Sequence, residues 1–275
     1  MTAAGTAIGA VAEARTVPGA LGVALRARRA EGAKLLVPYV TGGLSDDWTD
    51  VVAAVVAGGA DAVEVGIPFS DPVMDGPTIQ EASVRALDRG TTPASVLAEL
   101  ARVDAGVPLV AMTYYNLAFR MGDLRFARSL AAAGVAGAIL PDLPLEESLA
   151  WEAQAAEAGV ETVLLAAPVT PPDRLATIAR RSRGFVYGVS RMGITGERAS
   201  LAASAAVMAR RLKAVTDTPV LIGFGISTPA QAVEVCAEAD GVVVASALLR
   251  ELLDGGGPQA AAEFVGRMRA ALDAG

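Results

Sequence analysis

Short, largely β-branched runs recur along the chain, and each is followed by a turn and then by a stretch with apolar residues at helical spacing. The runs are Leu35 to Val40, Ala62 to Gly66, Leu109 to Met112, Gly137 to Leu140, Glu161 to Ala166, Gly184 to Val189, Val220 to Phe224 and Gly241 to Ala245. Between them, Trp48, Val51, Val52, Val55 and Val56 make one helical face, and Leu201, Ala205, Met208 and Leu212 make another. Ala261, Phe264, Val265, Met268 and Leu272 repeat the pattern near the C-terminus. Parallel neighbours need a crossover connection, and runs that are apolar throughout suit strands covered on both faces.

Eight such units in 275 residues predict an α/β fold, a single-domain (β/α)8 TIM barrel with additional N- and C-terminal helices. An open doubly wound sheet is disfavoured, because no Gly-x-Gly-x-x-Gly follows the first strand and no linker divides two halves. The segment Asp254 to Pro258 reads as a flexible joint between the eighth barrel helix and the last helix. Met1 to Thr16 is Ala/Gly-rich, interrupted by Glu13 and Arg15, and lacks a basic start. It reads as a flexible extension rather than a signal peptide, leaving 17–275 as the barrel catalytic domain. Apolar stretches break well before the roughly 20 residues of a membrane span, so a cytoplasmic protein is expected.

Composition narrows the chemistry. The net charge is -7, and the only lysines are Lys34 and Lys213, which argues against nucleic acid or an anionic membrane as partner. One cysteine, Cys236, excludes an internal disulfide, and zero histidines remove the usual ligands for zinc, haem or non-haem iron. Ser-His and Cys-His nucleophile pairs are excluded as well. Proton transfer must run on carboxylates, tyrosine, lysine or water.

In a (β/α)8 barrel the site lies at the C-terminal ends of the strands. Strand alternation puts Ala62, Glu64 and Gly66 on one face and Val63 and Val65 on the other, which aims Glu64 into the mouth. A carboxylate there is a general acid-base candidate, or else a core glutamate satisfied by a neighbouring donor. In the following loop, Asp75 either caps the helix starting near Thr78 or faces the mouth, and turn chemistry alone explains Asp75-Gly76-Pro77. Asp71 before Pro72 reads as a turn residue. Gly223-Phe224-Gly225-Ile226-Ser227 and Ser246, at the ends of the seventh and eighth strands, suit backbone amides and a helix N-terminus holding a phosphate. Ordinary turn glycines are the alternative. Tyr187 lies in the sixth strand, and Arg191 to Arg198, with Gly193 and Gly196, suits a lid or an ordinary mobile loop.

These residues carry a family resemblance. The stretch GADAVEVGIPFSDPVMDGPTIQ from Gly59 to Gln80 resembles the tryptophan synthase alpha chain family. Met112-Thr113-Tyr114-Tyr115-Asn116, Pro141-Asp142-Leu143-Pro144, Tyr187 to Gly196, GFGIS at 223 to 227 and the Ser246 turn follow in order, from Lys34 to Arg250. The resemblance implies a lyase that cleaves indole-3-glycerol phosphate to indole and glyceraldehyde 3-phosphate. Indole then passes to a pyridoxal-phosphate beta subunit in an alpha2beta2 tetramer, and the alpha chain itself needs no cofactor or metal.

By the same resemblance Glu64 is the acid-base glutamate, Asp75 the catalytic aspartate and Tyr187 the active-site tyrosine. Thr195 is the lid threonine that closes toward Asp75. Gly196, Gly225, Ala245 and Ser246 form the phosphate cradle, while Tyr39, Tyr114 and Phe224 line the substrate pocket. The chain departs from the family at Ala245, where glycine is usual, and at Gly43-Leu44-Ser45, where a proline is usual. Two other readings are a stand-alone lyase releasing free indole and a catalytically silent barrel that activates a partner.

Overall fold

A computed structural model of the chain describes residues 17–189, 198–223 and 225–275. Eight parallel strands close into a barrel in the order β1 to β8. They are β1 (Leu35–Thr41), β2 (Val63–Gly66), β3 (Leu109–Met112), β4 (Val135–Ile139), β5 (Glu161–Ala166), β6 (Val186–Val189), β7 (Val220–Gly223) and β8 (Gly241–Val244). The ring closes where Leu35 to Pro38 of β1 pair with Gly241 to Val244 of β8. Each apolar run therefore becomes a strand, as alternation with helices requires. The expected extension Met1 to Thr16 lies outside the described residues.

Three strand starts differ from the sequence expectation, β2 by one residue, at Val63 in place of Ala62, and two others by two. β4 begins at Val135, and the pairing skips Ala136, with Leu109 opposite Val135 and Val110 opposite Gly137. This bulge moves the start of the strand upstream of Gly137. β6 begins at Val186 because Gly184 takes a left-handed φ of 71°, which no strand residue adopts.

The helices pack by the faces their patterns give them. Trp48, Val51, Val52 and Val55 are buried in the helix Trp48–Ala57, and Ala261, Phe264, Val265, Met268 and Leu272 in the helix Pro258–Ala274. This last helix packs against both Trp48–Ala57 and Pro229–Cys236, the helices that follow β1 and β7. It thus fills the eighth place in the outer ring. The helix Ser246–Leu253 rests instead on β1 and on the helix Pro77–Asp88, so it is the short extra helix that leaves its N-terminus beside the mouth. Among the described residues no helix is long and apolar enough to cross a membrane.

The opposite end of the barrel is sealed. The helix Ala20–Ala30 precedes β1, and its fully buried Leu21 rests on Gly137 and Gly184, where an added Cβ would collide with it. Glu161, at the start of β5, fixes this helix by accepting the backbone N–H groups of Gly19 (3.0 Å), Gly22 (3.0 Å) and Gly184 (3.1 Å). Two aspartates just ahead of strands repeat one clamp. Asp61 accepts the N–H of Leu36 and Asp240 that of Val220, each at 2.8 Å, with Arg28 and Arg269 on the first and Arg29 and Lys213 on the second. Carboxylates at this end are consumed by structure, which sets them apart from those at the mouth.

Candidate active site

Glu64 occupies the second position of β2, between Val63 and Val65, which are buried completely. Alternation turns the valines outward and Glu64 inward, and its side chain is 1% exposed. Its Oε2 has no hydrogen-bond partner among the described residues. Burial first, and then the charge of Asp75, push its carboxyl up to about 8.

Asp75 does not cap a helix. The helix Pro77–Asp88 is capped at Gly76 with no side-chain bond, so the Asp75 carboxylate is free to face the mouth. Its loop is held by Gln80, whose Nε2 donates to the Asp75 carbonyl at 2.9 Å, and by Tyr114 just past the end of β3. The Tyr114 hydroxyl donates to Asp75 Oδ2 at 3.1 Å, while Asp75 Oδ1 is buried without a partner among the described residues. Burial raises the Asp75 carboxyl to about 6, and the Tyr114 bond opposes the rise.

Two oxygens without partners, on two neighbouring carboxyls, are costly in a folded chain. The cost is accepted where a ligand completes the bonds. Burial pushes Glu64 further toward the protonated form than Asp75.

Tyr39 and Tyr187 reach the same region from β1 and β6, both 4% exposed. Burial, with the nearby carboxylates, pushes the phenols of Tyr39, Tyr114 and Tyr187 above their usual range, so all three keep their protons. A small cleft joins Tyr39, Asp75, Tyr114 and Met112. Met112 also walls a cavity of about 650 Å³ with Leu140, Leu164, Leu165 and Val189, at the ends of β3 to β6. Its predominantly apolar wall suits a flat hydrocarbon ring, and Met112 is common to it and to the small cleft that holds Asp75. The sequence does not single out Leu140, Leu165 and Val189 as site residues, although each lies at or just past a strand end or on its inward face.

Across the mouth, Gly225 takes a left-handed φ of 86°, which explains a glycine there. Ser246 begins the helix Ser246–Leu253, with the half-buried Ala245 ahead of it. Because β7 and β8 are paired, these two turns are neighbours and can present backbone N–H groups together. Thr228 caps the helix Pro229–Cys236 in a reciprocal box with Gln231, as the Ser227-Thr228-Pro229 run predicts. Thr195, Gly196 and Phe224, and with them the expected lid from 190 to 197, lie outside the described residues.

Comparison with known proteins agrees with this geometry. The family model described as tryptophan synthase alpha chain matches residues 25–270. The tryptophan synthase alpha chain of Streptomyces coelicolor is 45% identical over 257 residues, covering 90% of this chain and 93% of its own. That of Gloeobacter violaceus is 44% identical over 240 residues, covering 86% and 87%. A tryptophan synthase structure from Mycobacterium tuberculosis superposes with a TM-score of 0.86 at 39% identity, covering 93% of this chain and 99% of the matched one. The alpha subunit from Legionella pneumophila does so at 0.85 and 31%, covering 94% and 100%. With the family model, the relatives and the barrel all agreeing over most of its length, the chain belongs to the tryptophan synthase alpha chain family.

Proposed function

We propose that this lyase cleaves indole-3-glycerol phosphate to indole and glyceraldehyde 3-phosphate with Glu64 and Asp75 as its working groups. The observation that carries the reading is the pair of carboxyls at the mouth, each with a buried oxygen that no group among the described residues satisfies. Their unequal proton affinities divide the labour. Protonated Glu64 gives its proton to C3 of the indole ring, and Asp75 Oδ1 accepts the ring N–H and offsets the positive charge that forms there. The C3–C3' bond then breaks, and its electron pair returns to the ring. The 3'-hydroxyl becomes the aldehyde as its proton passes to the Glu64 carboxylate. One proton enters and one returns, so Glu64 is regenerated, and no step draws on a metal or organic cofactor.

The substrate ring takes the cavity walled by Met112, Leu140, Leu165 and Val189, with Tyr39 and Tyr187 around the reacting carbons. Its phosphate takes the turns at Gly225 and Ser246; Gly196, expected in the same cradle, and Thr195, expected to close toward Asp75, lie outside the described residues. The Ala245 methyl, where the family usually has glycine, narrows the approach to the Ser246 amide. Phosphorylated substrates are retained inside cells, which fits a cytoplasmic enzyme.

As a tryptophan synthase alpha chain the enzyme works with a beta subunit, and we infer an alpha2beta2 assembly with pyridoxal phosphate on the partner. Val73 and Met74, Phe119, Leu149 and Val169 are exposed on the segments after β2, β3, β4 and β5 at the mouth. A run of exposed apolar residues on one rim suits a protein partner. The test is an indole-release assay on the purified chain, alone and with a beta subunit. Glu64→Gln should bind a non-cleavable indolylalkyl phosphate and release no indole. Indole release by Glu64→Gln at the normal rate would overturn the reading. Strong activation by the beta subunit marks a synthase subunit, and full activity alone marks a stand-alone lyase.

A further inference from the structure

Tyr114 holds more of the site together than a pocket wall would. It stands at the end of β3, immediately ahead of the helix Tyr115–Met121, and is 4% exposed. Its ring stacks on Phe69, with centroids 5.0 Å apart and planes 22° apart. Its hydroxyl accepts the backbone N–H of Met74 at 2.8 Å and lies 3.1 Å from Asp75 Oδ2. A phenol has a single proton to give. Because Met74 N–H can only donate, that proton is free for Asp75, and the direction of both bonds is fixed.

We propose that Tyr114 is a positioning residue of the cleavage reaction. It occupies Oδ2 of Asp75, turns the unpartnered Oδ1 toward the substrate, and keeps the carboxyl ionised inside a buried site. The ring anchors the loop through Phe69 while the hydroxyl ties two successive residues of that loop, Met74 and Asp75, to the end of β3. The inference rests on the reading of Asp75 as the partner of the indole N–H.

The charge state of Asp75 answers to few groups. Burial favours the neutral carboxyl, and the Tyr114 bond opposes it. Among the described residues the ionisable groups facing it are Glu64 from β2, Tyr39 from β1 and Tyr187 from β6, together with Tyr114 itself. None of these is a cation. Among the described residues Tyr114 is the side chain that favours the ionised form, and removing its hydroxyl moves Asp75 toward protonation.

The test is Tyr114→Phe, which keeps the ring stack and deletes the two hydroxyl bonds. Expected are a fall in kcat of about ten- to a hundredfold, a KM changed far less, and an acid limb of kcat/KM shifted upward by about half a unit or more. In an Asp75→Asn background the same substitution should cost nothing further. Difluorotyrosine placed at 114, a stronger donor of the same shape, should move the acid limb downward, and it serves equally if Tyr114→Phe does not fold. An unmoved acid limb in both variants, or equal losses with Asp75 and with Asn at that position, would overturn the role. Glu64→Gln run alongside separates the two failures. If it cleaves normally, the carboxylate reading is wrong. If it is inactive while Tyr114→Phe behaves as the parent, only the Tyr114 inference falls.

Discussion

Tyr39 on β1 leans over Gly66 on β2 so closely that its hydroxyl fills the space a Cβ on Gly66 would need. Thr41, two residues on from Tyr39, is the Cα partner of Gly66, so the phenol crosses diagonally to the end of the next strand. Tyr187 on β6 covers Gly223 at the end of β7 in the same way. Each glycine is the vacancy that lets a phenol lie across the mouth.

Gly66→Ala should therefore displace Tyr39. Overpacking of this kind costs about 1–3 kcal/mol, read as a lower urea midpoint with an unchanged slope. Adding Tyr39→Leu should restore most of the stability without restoring cleavage, since the phenol is then gone. If Gly66→Ala is as stable as the parent, the close approach is not present in solution.

The two carboxyls predict a bell-shaped dependence of kcat/KM on pH. The acid limb falls near the value to which Asp75 is raised, about 6, because below it the group protonates and no longer offsets the ring cation. The alkaline limb falls near that of Glu64, about 8, because above it the proton for C3 is lost. The limbs belong to the coupled pair. Glu64→Gln and Asp75→Asn should each lower kcat by at least about a hundredfold, measured by indole release over pH 5 to 9 in steps of roughly half a unit.

Asp240 should make the fold sensitive to acid. Burial alone would raise its carboxyl, but bonds from Lys213 and the Val220 N–H, with the charges of Lys213 and Arg29, outweigh burial and hold it below the usual range. A depressed carboxylate contributes stability that is present above its unfolded value, about 3.9, and is lost as pH falls through the folded one. Asp240→Ala leaves the Val220 N–H without its side-chain acceptor and should cost about 1–3 kcal/mol at neutral pH. Urea unfolding at pH 7 and at pH 3 should show the gap between variant and parent narrowing in acid.

Leu21→Ala empties the sealed end of the barrel. With Leu21 fully buried on Gly137 and Gly184, the loss should be about 2–5 kcal/mol. Cleavage by the folded fraction should be unchanged, since the substitution lies at the far end from Glu64. A fall in kcat at full folding would mean that the two ends are coupled.

The barrel was legible because each strand is an apolar run bounded by turn residues and followed by a periodic helix, so pattern and topology agree. The bulge at Ala136 was not, since nothing local distinguishes the skipped residue from its neighbours. Glu64 was legible as a carboxylate inside a strand, yet Glu161 carries the same signal and belongs to the opposite end. What separates them is the place in the strand. Glu161 opens β5 and meets free helix N–H groups, whereas Glu64 lies nearer the mouth and meets none. The task of Asp75 could not be read from Asp-Gly-Pro, because the choice depends on whether Gly76 or Asp75 caps the helix. Met112, Leu140, Leu164, Leu165 and Val189 look like any core residues until the barrel closes around them.

The plug formed by Leu21 governs traffic. A chamber closed below by a helix and filled between by strand side chains has one door. Substrate arrives and both products depart on the same side, so whatever stands over that opening sets the order of departure and decides whether indole reaches bulk water or a waiting neighbour.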